Sequence, residues 1–397
     1  MQTADVLITG MGVVSAAGMD VDSSMESMFN GRRNLSPLSL FDSPLKFPVY
    51  EVDHPALLIK TDEMRTLQLL HIAVEEALSN AQLEYSENIG TKRVGVCFGT
   101  SVACQLNDLE FYQTFRAQNE APLRAVDKWL NGNLAEAVAK KIGSNGPAVQ
   151  IVNACSSGTD AIGVALEWLR ADICDVVIAG GADELSRIPV CGFNALGIVS
   201  DEPCAPFDAA RKGLNLGEGA GVLIMERRDS AFARGVKSNL KVCGYGTCAD
   251  AYHLTAPHPE GDGLRRAVSM ALHEAKIDPT QISFVNAHGT STRDNDLVEG
   301  RLLKDVFGNS IKVHSTKGYT GHTLGAAGGI EAVFAATCLQ RGSIPPSAGF
   351  KNFDSEIGLA PVSEVTSING RYALSTSLAF GGNNSALIIA LEENQNV

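Results

Sequence analysis

No apolar run in the 397-residue chain approaches the roughly 20 residues that a membrane-crossing helix needs. Nor does Met1 lead into a basic segment followed by a short apolar one. Neither a spanning helix nor a secretory leader is expected, and the chain reads as cytoplasmic with no membrane partner. Basic charge is scarce: 32 Lys and Arg stand against 45 Asp and Glu, giving a formal net charge of −13 and a pI near 5.1. Nucleic acid requires a basic face to neutralise its phosphates, so it is not expected as a partner. An acidic partner needs only a local basic patch. Arg211-Lys212 and the Lys60/Arg65 segment are the candidates for one, and a solvated charged face accounts for them equally well. The nine cysteines include no Cys-x-x-Cys pair and no His/Cys cluster at zinc spacing, so neither structural disulfides nor a metal site is expected.

What the chain does have is 45% hydrophobic residues, enough for two cores or one large duplicated one, and 39 glycines spread without a short period, as punctuation of turns and close backbone approaches. It also resembles itself. A β-branched strand ending in glycines opens each half, at Val6 to Gly12 and at Leu240 to Gly246. An amphipathic helix follows, Leu69 to Leu83 and Leu264 to Ile277, then a short apolar strand, Val94 to Thr100 and Ile282 to Thr290. Val149 to Cys155 leads into a small-residue helix just as Lys317 to His322 does, and both halves close on a strand ending in paired glycines, at Gly180-Gly181 and Gly381-Gly382, plus one more strand. The expectation is an α/β protein of two pseudo-duplicated βαβαβ halves, 1–232 and 233–397, joined near residues 227–238. The Ala- and Gly-rich helices after Cys155 and His322 lack a charged face for much of their length and read as buried between the halves.

Position in this repeat separates candidate residues from the bland alternatives. Cys155, in Asn153-Ala154-Cys155-Ser156-Ser157-Gly158, ends a strand and opens a helix, where the positive end of the helix dipole favours a nucleophilic thiolate over an inert buried thiol. The first half carries this cysteine. The second half carries His288, in Asn286 to Thr292, and His322, in Lys317 to Gly325, while the other six histidines read as ordinary polar residues. Gly10-Met11-Gly12-Val13-Val14-Ser15 nearly spells a dinucleotide fingerprint. Ser15 stands where the third glycine is needed, so a nicotinamide site is rejected. Cys243 and Cys248 read as packing residues.

Asn-Ala-Cys-Ser-Ser-Gly at 153–158, Asn-Ala-His-Gly-Thr-Ser-Thr at 286–292, Lys-Gly-Tyr-Thr-Gly-His at 317–322 and Phe-Gly-Gly-Asn-Asn at 380–384 together resemble the β-ketoacyl-(acyl carrier protein) synthases of the thiolase superfamily. Gly180 to Glu184 and Pro206 to Gly221 are further landmarks in the same order, so the likeness covers the whole chain. It is to the elongating Cys-His-His, KAS II-like type. Initiating synthases carry asparagine in place of the second histidine, thiolases use a second cysteine, and chain-length factors lack the nucleophile.

The resemblance implies an αβαβα layered sandwich and a decarboxylative Claisen condensation of malonyl-carrier protein with an acyl group held on Cys155. By the same resemblance Cys155, His288, His322 and Lys317 are catalytic. The amides of Cys155 and Phe380 form the oxyanion hole, with Phe380 as gate, and Glu299 stands behind the site as partner of Lys317. Thr290 and Thr292 bind the pantetheine arm, and Val102 limits the acyl pocket. No cofactor is implied beyond the phosphopantetheine that the acyl carrier protein brings. The chain is expected to pair through Pro147 to Val152, as a homodimer or as a heterodimer with a chain-length-factor-like subunit. Leu378-Ala379 before Phe380 and Arg293-Asp294-Asn295 depart from the family pattern, which keeps open a ketosynthase of a specialised polyene or polyketide pathway. A catalytically silent scaffold is the other class, against which the intact Cys155, His288, His322 and Lys317 argue.

Overall fold

The computed structural model describes residues 5–58, 63–83, 92–101, 109–121 and 133–393. The strands of the first half are β1 (Val6–Ser15), β2 (Val94–Gly99), β3 (Ala148–Ile151), β4 (Val176–Asp183) and β5 (Gly219–Arg227). Those of the second are β6 (Leu240–Ala249), β7 (Ile282–Asn286), β8 (Lys312–His314), β9 (Tyr372–Leu378) and β10 (Asn383–Leu391). Their spatial order is β3-β2-β4-β5-β1 in one half and β8-β7-β9-β10-β6 in the other, which is the same order taken twice. Orientation repeats too. In each half the pairings of the second strand are parallel, and the pairings along the last three strands of the row are antiparallel. The two five-stranded sheets meet edge to edge where β1 pairs with β6, at Val6 with Val242 and Leu7 with Lys241.

Helices α1 (Arg65–Asn80) and α2 (Leu134–Ile142) cover the outer face of the first sheet. Between the sheets lie α3 (Ser157–Arg170), which touches β2, β4 and β5 on one side and β6 and β10 on the other, and the last long helix, Ala327–Arg341, which touches β1, β4 and β5 as well as β9 and β10. That last helix is buried at every residue from Ala327 to Leu339, which suits its small and apolar side chains and requires its two polar ones, Glu331 and Thr337, to find partners. Ile162, Leu166 and Leu169 of α3 are fully buried, worth roughly 2 kcal/mol each. With helix Asp262–Ala275 outside the second sheet, the layers run αβαβα, as the resemblance implies.

Paired glycines make the duplication physical. A Cβ on Gly10 or Gly12 would come within 2.2 or 2.0 Å of the Ala77 and Ala73 carbonyls of α1. On Gly244 or Gly246 it would come within 2.2 or 2.1 Å of the Ala271 and Ala267 carbonyls of the helix in the equivalent place. Gly10-Met11-Gly12 is thus a packing motif that lets a helix lie directly on a strand.

One element of the expected repeat is displaced. The strand equivalent to β3 is β8, and Lys317–Thr320 is a helical turn beyond it. The counterpart of Cys155 is therefore Gly325 rather than His322. Ala154 and Leu324 both take positive φ, +49° and +53°, and each opens a 3₁₀ turn, Ala154–Ser156 and Leu324–Ala326, that feeds a central helix. Non-glycine residues seldom adopt this conformation, and here it turns the chain sharply from strand to helix in both halves.

Candidate active site

Two facts of backbone packing bring the site together. A Cβ on Gly158, in the first turn of α3, would sit 2.8 Å from both the Gly325 carbonyl and the Gly329 amide, so the two central helices start against one another. His322, three residues before Gly325, is held on the first half: its amide donates to the Asn215 carbonyl at 2.8 Å and its carbonyl accepts from the Gly217 amide at 3.1 Å. As a result His322 Nε2 lies 3.1 Å from Cys155 Sγ, across 167 residues of sequence. The His288 ring stands edge-on to His322 with centroids 5.1 Å apart. All three side chains are buried and line one cavity of about 300 Å³, together with Thr290, Thr292, Phe193 and Phe380.

His288 is fixed from behind. Lys317, 1% exposed, directs Nζ at His288 Nδ1 across 3.2 Å and forms an ion pair with Glu331. An ammonium has only donors, so Nδ1 accepts and the ring proton must sit on Nε2. Glu299 does not partner Lys317, contrary to the sequence-based expectation. Its carboxylate accepts from the His288 and Gly289 amides at 2.8 Å each and from Thr376 Oγ1 at 2.7 Å, and so holds the backbone that carries His288. Glu331 takes the ion-pair role because it lies on the central helix that runs beneath the site. A lone glutamate in the otherwise uncharged stretch Gly328 to Cys338 was the signal for it.

Burial sets the protonation states. It pushes the Cys155 thiol up to about 12, against the opposing pull of the Lys317 charge and of the Phe380 amide. It holds His288 and His322 well below the usual imidazole range, with Lys317 acting in the same direction. Glu331 is pushed up to about 7 by burial, with Lys317 opposing. The resting pair is a neutral thiol beside a neutral imidazole, with Cys155 Sγ and His322 Nε2 within hydrogen-bond distance.

The Phe380 amide is also directed at Cys155. Gly381 and Gly382, at φ of +91° and +82°, give the bend behind it. The Phe380 ring stacks on Phe193 at 5.3 Å, and Phe193 stands edge-on to His322; nothing in the sequence pattern singled out Phe193. Thr290 Oγ1 and Thr292 Oγ1 lie 2.9 Å apart on the cavity wall. Val102 and Lys60 lie outside the described residues. Two of the candidate docking cations are consumed internally. Arg65 is bidentate to the buried Glu218, and Arg211 is clamped by Asp354 and by the Asp208, Thr292 and Arg293 carbonyls, which leaves Lys212, paired with Glu202, at the cavity mouth.

The chain matches the family model of the β-ketoacyl synthase N-terminal domain over residues 3–231 and that of the C-terminal domain over residues 240–351. It belongs to the β-ketoacyl synthase family. It is 34% identical to a 3-oxoacyl-[acyl-carrier-protein] synthase 2 of Staphylococcus aureus (strain COL), with 98% of each chain covered. Among solved structures, the ishigamide ketosynthase/chain length factor superposes with a TM-score of 0.91 at 29% identity, covering 98% of this chain and 100% of that one. A type II polyketide ketosynthase in complex with its acyl-carrier protein superposes with a TM-score of 0.88 at 27% identity over the same shares. The protein is thus an acyltransferase of the condensing type, KAS II-like, and the neutral Cys155–His322 pair has to be understood as part of such an enzyme.

Proposed function

We propose that the chain elongates an acyl chain by decarboxylative condensation, with Cys155 as nucleophile and His288 and His322 as catalytic residues. The observation that carries this reading is the convergence of Cys155 Sγ, His322 Nε2 and the Lys317-fixed ring of His288 on one cavity. The substrates are thioesters of acyl carrier protein, a reading supported by the names of the relatives and by the ketosynthase solved with its carrier protein.

In the first half-reaction His322 Nε2 takes the thiol proton as Cys155 attacks the acyl thioester, and returns it to the departing pantetheine thiolate. The amides of Cys155 and Phe380 hold the tetrahedral oxyanion. In the second, malonyl thioester loses CO₂, and the electron pair left behind forms an enolate whose carbon attacks the acyl-cysteine. His288 donates from Nε2 to the enolate oxygen, in a site where each donor is worth about 3 kcal/mol. His322 donates beside it whenever its proton sits on Nε2. Collapse of the adduct frees the 3-oxoacyl product and the Cys155 thiolate, which takes up one proton from solvent, the proton that decarboxylation of a carboxylate consumes overall. Lys317 acts through His288 and is a positioning residue. Thr290 and Thr292 take the pantetheine amides, and no further cofactor is required by this chemistry.

β3 ends the first sheet with its outer edge unpaired among the described residues, and Val149 within it and Val152 just after it are 37% and 58% exposed. We assign this edge to a two-fold dimer contact, since an apolar edge invites pairing. Among the described residues no helix is long and apolar enough to cross a membrane, and we place the reaction in the cytoplasm. A second reading, a ketosynthase of a specialised polyene or polyketide pathway that pairs with a chain-length-factor-like subunit, is favoured by the ketosynthase/chain length factor complexes among the structural relatives.

Purified chain is incubated with acyl- and malonyl-carrier protein and followed by intact-mass spectrometry. An acyl adduct on Cys155 followed by a 3-oxoacyl-carrier protein product is the expected result. Activity of the chain alone favours the elongating enzyme, and activity only with a cysteine-less relative favours the second reading. No adduct under either condition overturns the assignment.

A further inference from the structure

Asp160, 5% exposed in the first turn of α3, has no role in the chemistry above, yet it accepts four hydrogen bonds that divide cleanly between the two halves of the molecule. Oδ2 accepts from Asn153 Nδ2 at 2.6 Å and from Ser156 Oγ at 2.8 Å, the residues that flank the nucleophile turn. Oδ1 accepts from Tyr245 Oη of β6 at 2.8 Å and from Ser385 Oγ of β10, both in the second half. Tyr245 reaches it because Gly163 leaves room: a Cβ there would lie 2.5 Å from the tyrosine ring. Asn153 in turn accepts from Asn383, which opens β10 three residues after the gate.

We propose that Asp160 is a positioning residue that sets the nucleophile turn against the gate strand, and with it the Cys155 sulphur against the Phe380 amide and the second-half imidazoles. Cys155 and Phe380 are 225 residues apart in sequence, so their register is decided by contacts between the halves. A carboxylate suits this place because it is an acceptor on both oxygens, facing a pair of donors on each side. An amide replaces it poorly. Turned one way, its NH₂ meets the donor-only NH₂ of Asn153; turned the other way, it makes the Tyr245 and Ser385 hydroxyls accept and give up Asp160 as their acceptor, so either the nucleophile side or the gate side loosens. Catalytic sites tolerate little of this, since a misplacement of about 1 Å can cost about a hundredfold in rate.

The test uses Asp160→Asn, with Tyr245→Phe and Ser385→Ala as milder variants that each strip one second-half donor. Thr159→Val is the control, because the buried Thr159–Ser377 hydrogen bond of 2.9 Å also joins the halves but touches neither Asn153 nor Ser156. Three quantities are measured: the melting temperature, the rate of Cys155 alkylation by iodoacetamide, and the rate of acyl loading from carrier protein. Asp160→Asn is expected to fold with a melting temperature close to wild type, to change the alkylation rate, and to slow loading and kcat about tenfold or more with KM for carrier protein nearly unchanged. Tyr245→Phe and Ser385→Ala should fall between it and wild type. Adding Tyr245→Phe to Asp160→Asn should cost nothing further, and Thr159→Val should leave both rates as they are. Wild-type loading and alkylation in Asp160→Asn would overturn the proposal, as would an equal loss in Thr159→Val, which would mean general loosening between the halves. Loading rests on the proposed reaction and alkylation does not, so a wild-type protein that accepts no acyl group refutes the reaction while the alkylation series still judges Asp160.

Discussion

Lys317 Nζ lies 3.2 Å from His288 Nδ1, and this contact determines which ring nitrogen faces the substrate. A lysine that can only donate leaves Nε2 of His288 as the protonated atom, ready for an oxygen that is gaining charge. Glu331 balances the lysine, so removing either charged partner leaves the other buried and alone. Lys317→Met is therefore expected to lose on the order of 3 kcal/mol of stability. Malonyl decarboxylation should fall about a hundredfold, as for loss of an oriented donor. Urea unfolding and ¹⁴CO₂ release from labelled malonyl-carrier protein measure the two, and an unchanged CO₂ rate in folded protein would sink the orienting role.

The two histidines should separate kinetically. His322 Nε2 is within hydrogen-bond distance of Cys155 Sγ, whereas His288 is fixed by Lys317, so His322→Ala should slow acyl loading of Cys155 well beyond the effect of His288→Ala, while both depress decarboxylation. Single-turnover loading followed by mass spectrometry distinguishes them, and equal loading rates would refute the assignment of His322 as the first base.

Cys155→Ala removes one small buried side chain and should leave the fold cooperative with a cost near or below 2 kcal/mol. No acyl adduct should form on the variant, and product formation at the wild-type rate would exclude Cys155 as the nucleophile.

His314 is fully buried, packs edge-on against Phe284, and has no hydrogen-bond partner on either ring nitrogen among the described residues. Burial depresses it to about 3. Between pH 6.5 and 3 the unfolded chain binds a proton here that the folded chain does not, so this residue destabilises the fold increasingly as pH falls, by about 1.4 kcal/mol per pH unit. His314→Leu should therefore gain on wild type at pH 5 relative to pH 7.5 in chemical unfolding. A stability difference independent of pH would contradict the buried neutral state.

If β3 is the dimer edge, Val152→Asp should convert the protein to a monomer at micromolar concentration while its thermal unfolding stays cooperative. Val152 is 58% exposed within the protomer, so the substitution buries no charge in the fold itself. Sedimentation velocity reads the outcome, and a wild-type monomer or an unaffected variant dimer would remove β3 from the interface.

Much of this protein is local in its causes and so could be read from the sequence. The duplicated order of strands, the two buried central helices, the sharp turn at Cys155 and the two second-half histidines all follow from nearest-neighbour pattern: alternation, apolar runs, glycines before a helix. The glycine pairs in β1 and β6 belong here too, although that pattern could not say which backbone they approach. The repeat aligned His322 with Cys155 because both precede a small-residue helix. Only the backbone dihedrals, with Ala154 matching Leu324, identified Gly325 as the true counterpart. What the tertiary structure alone decided are the partners of buried charge. The resemblance pairs Lys317 with Glu299, and the fold pairs it with Glu331 instead. The helix Arg293–Phe307 directs one carboxylate at the amides of His288 and Gly289, while the central helix sends the other under Lys317. Asp160 likewise gains its two second-half donors, Tyr245 and Ser385, only when α3 is packed between the sheets. A carboxylate taken out of water must be satisfied by whatever the fold places within 3 Å, and those groups come from residues up to 225 positions away, beyond the range of any local sequence pattern.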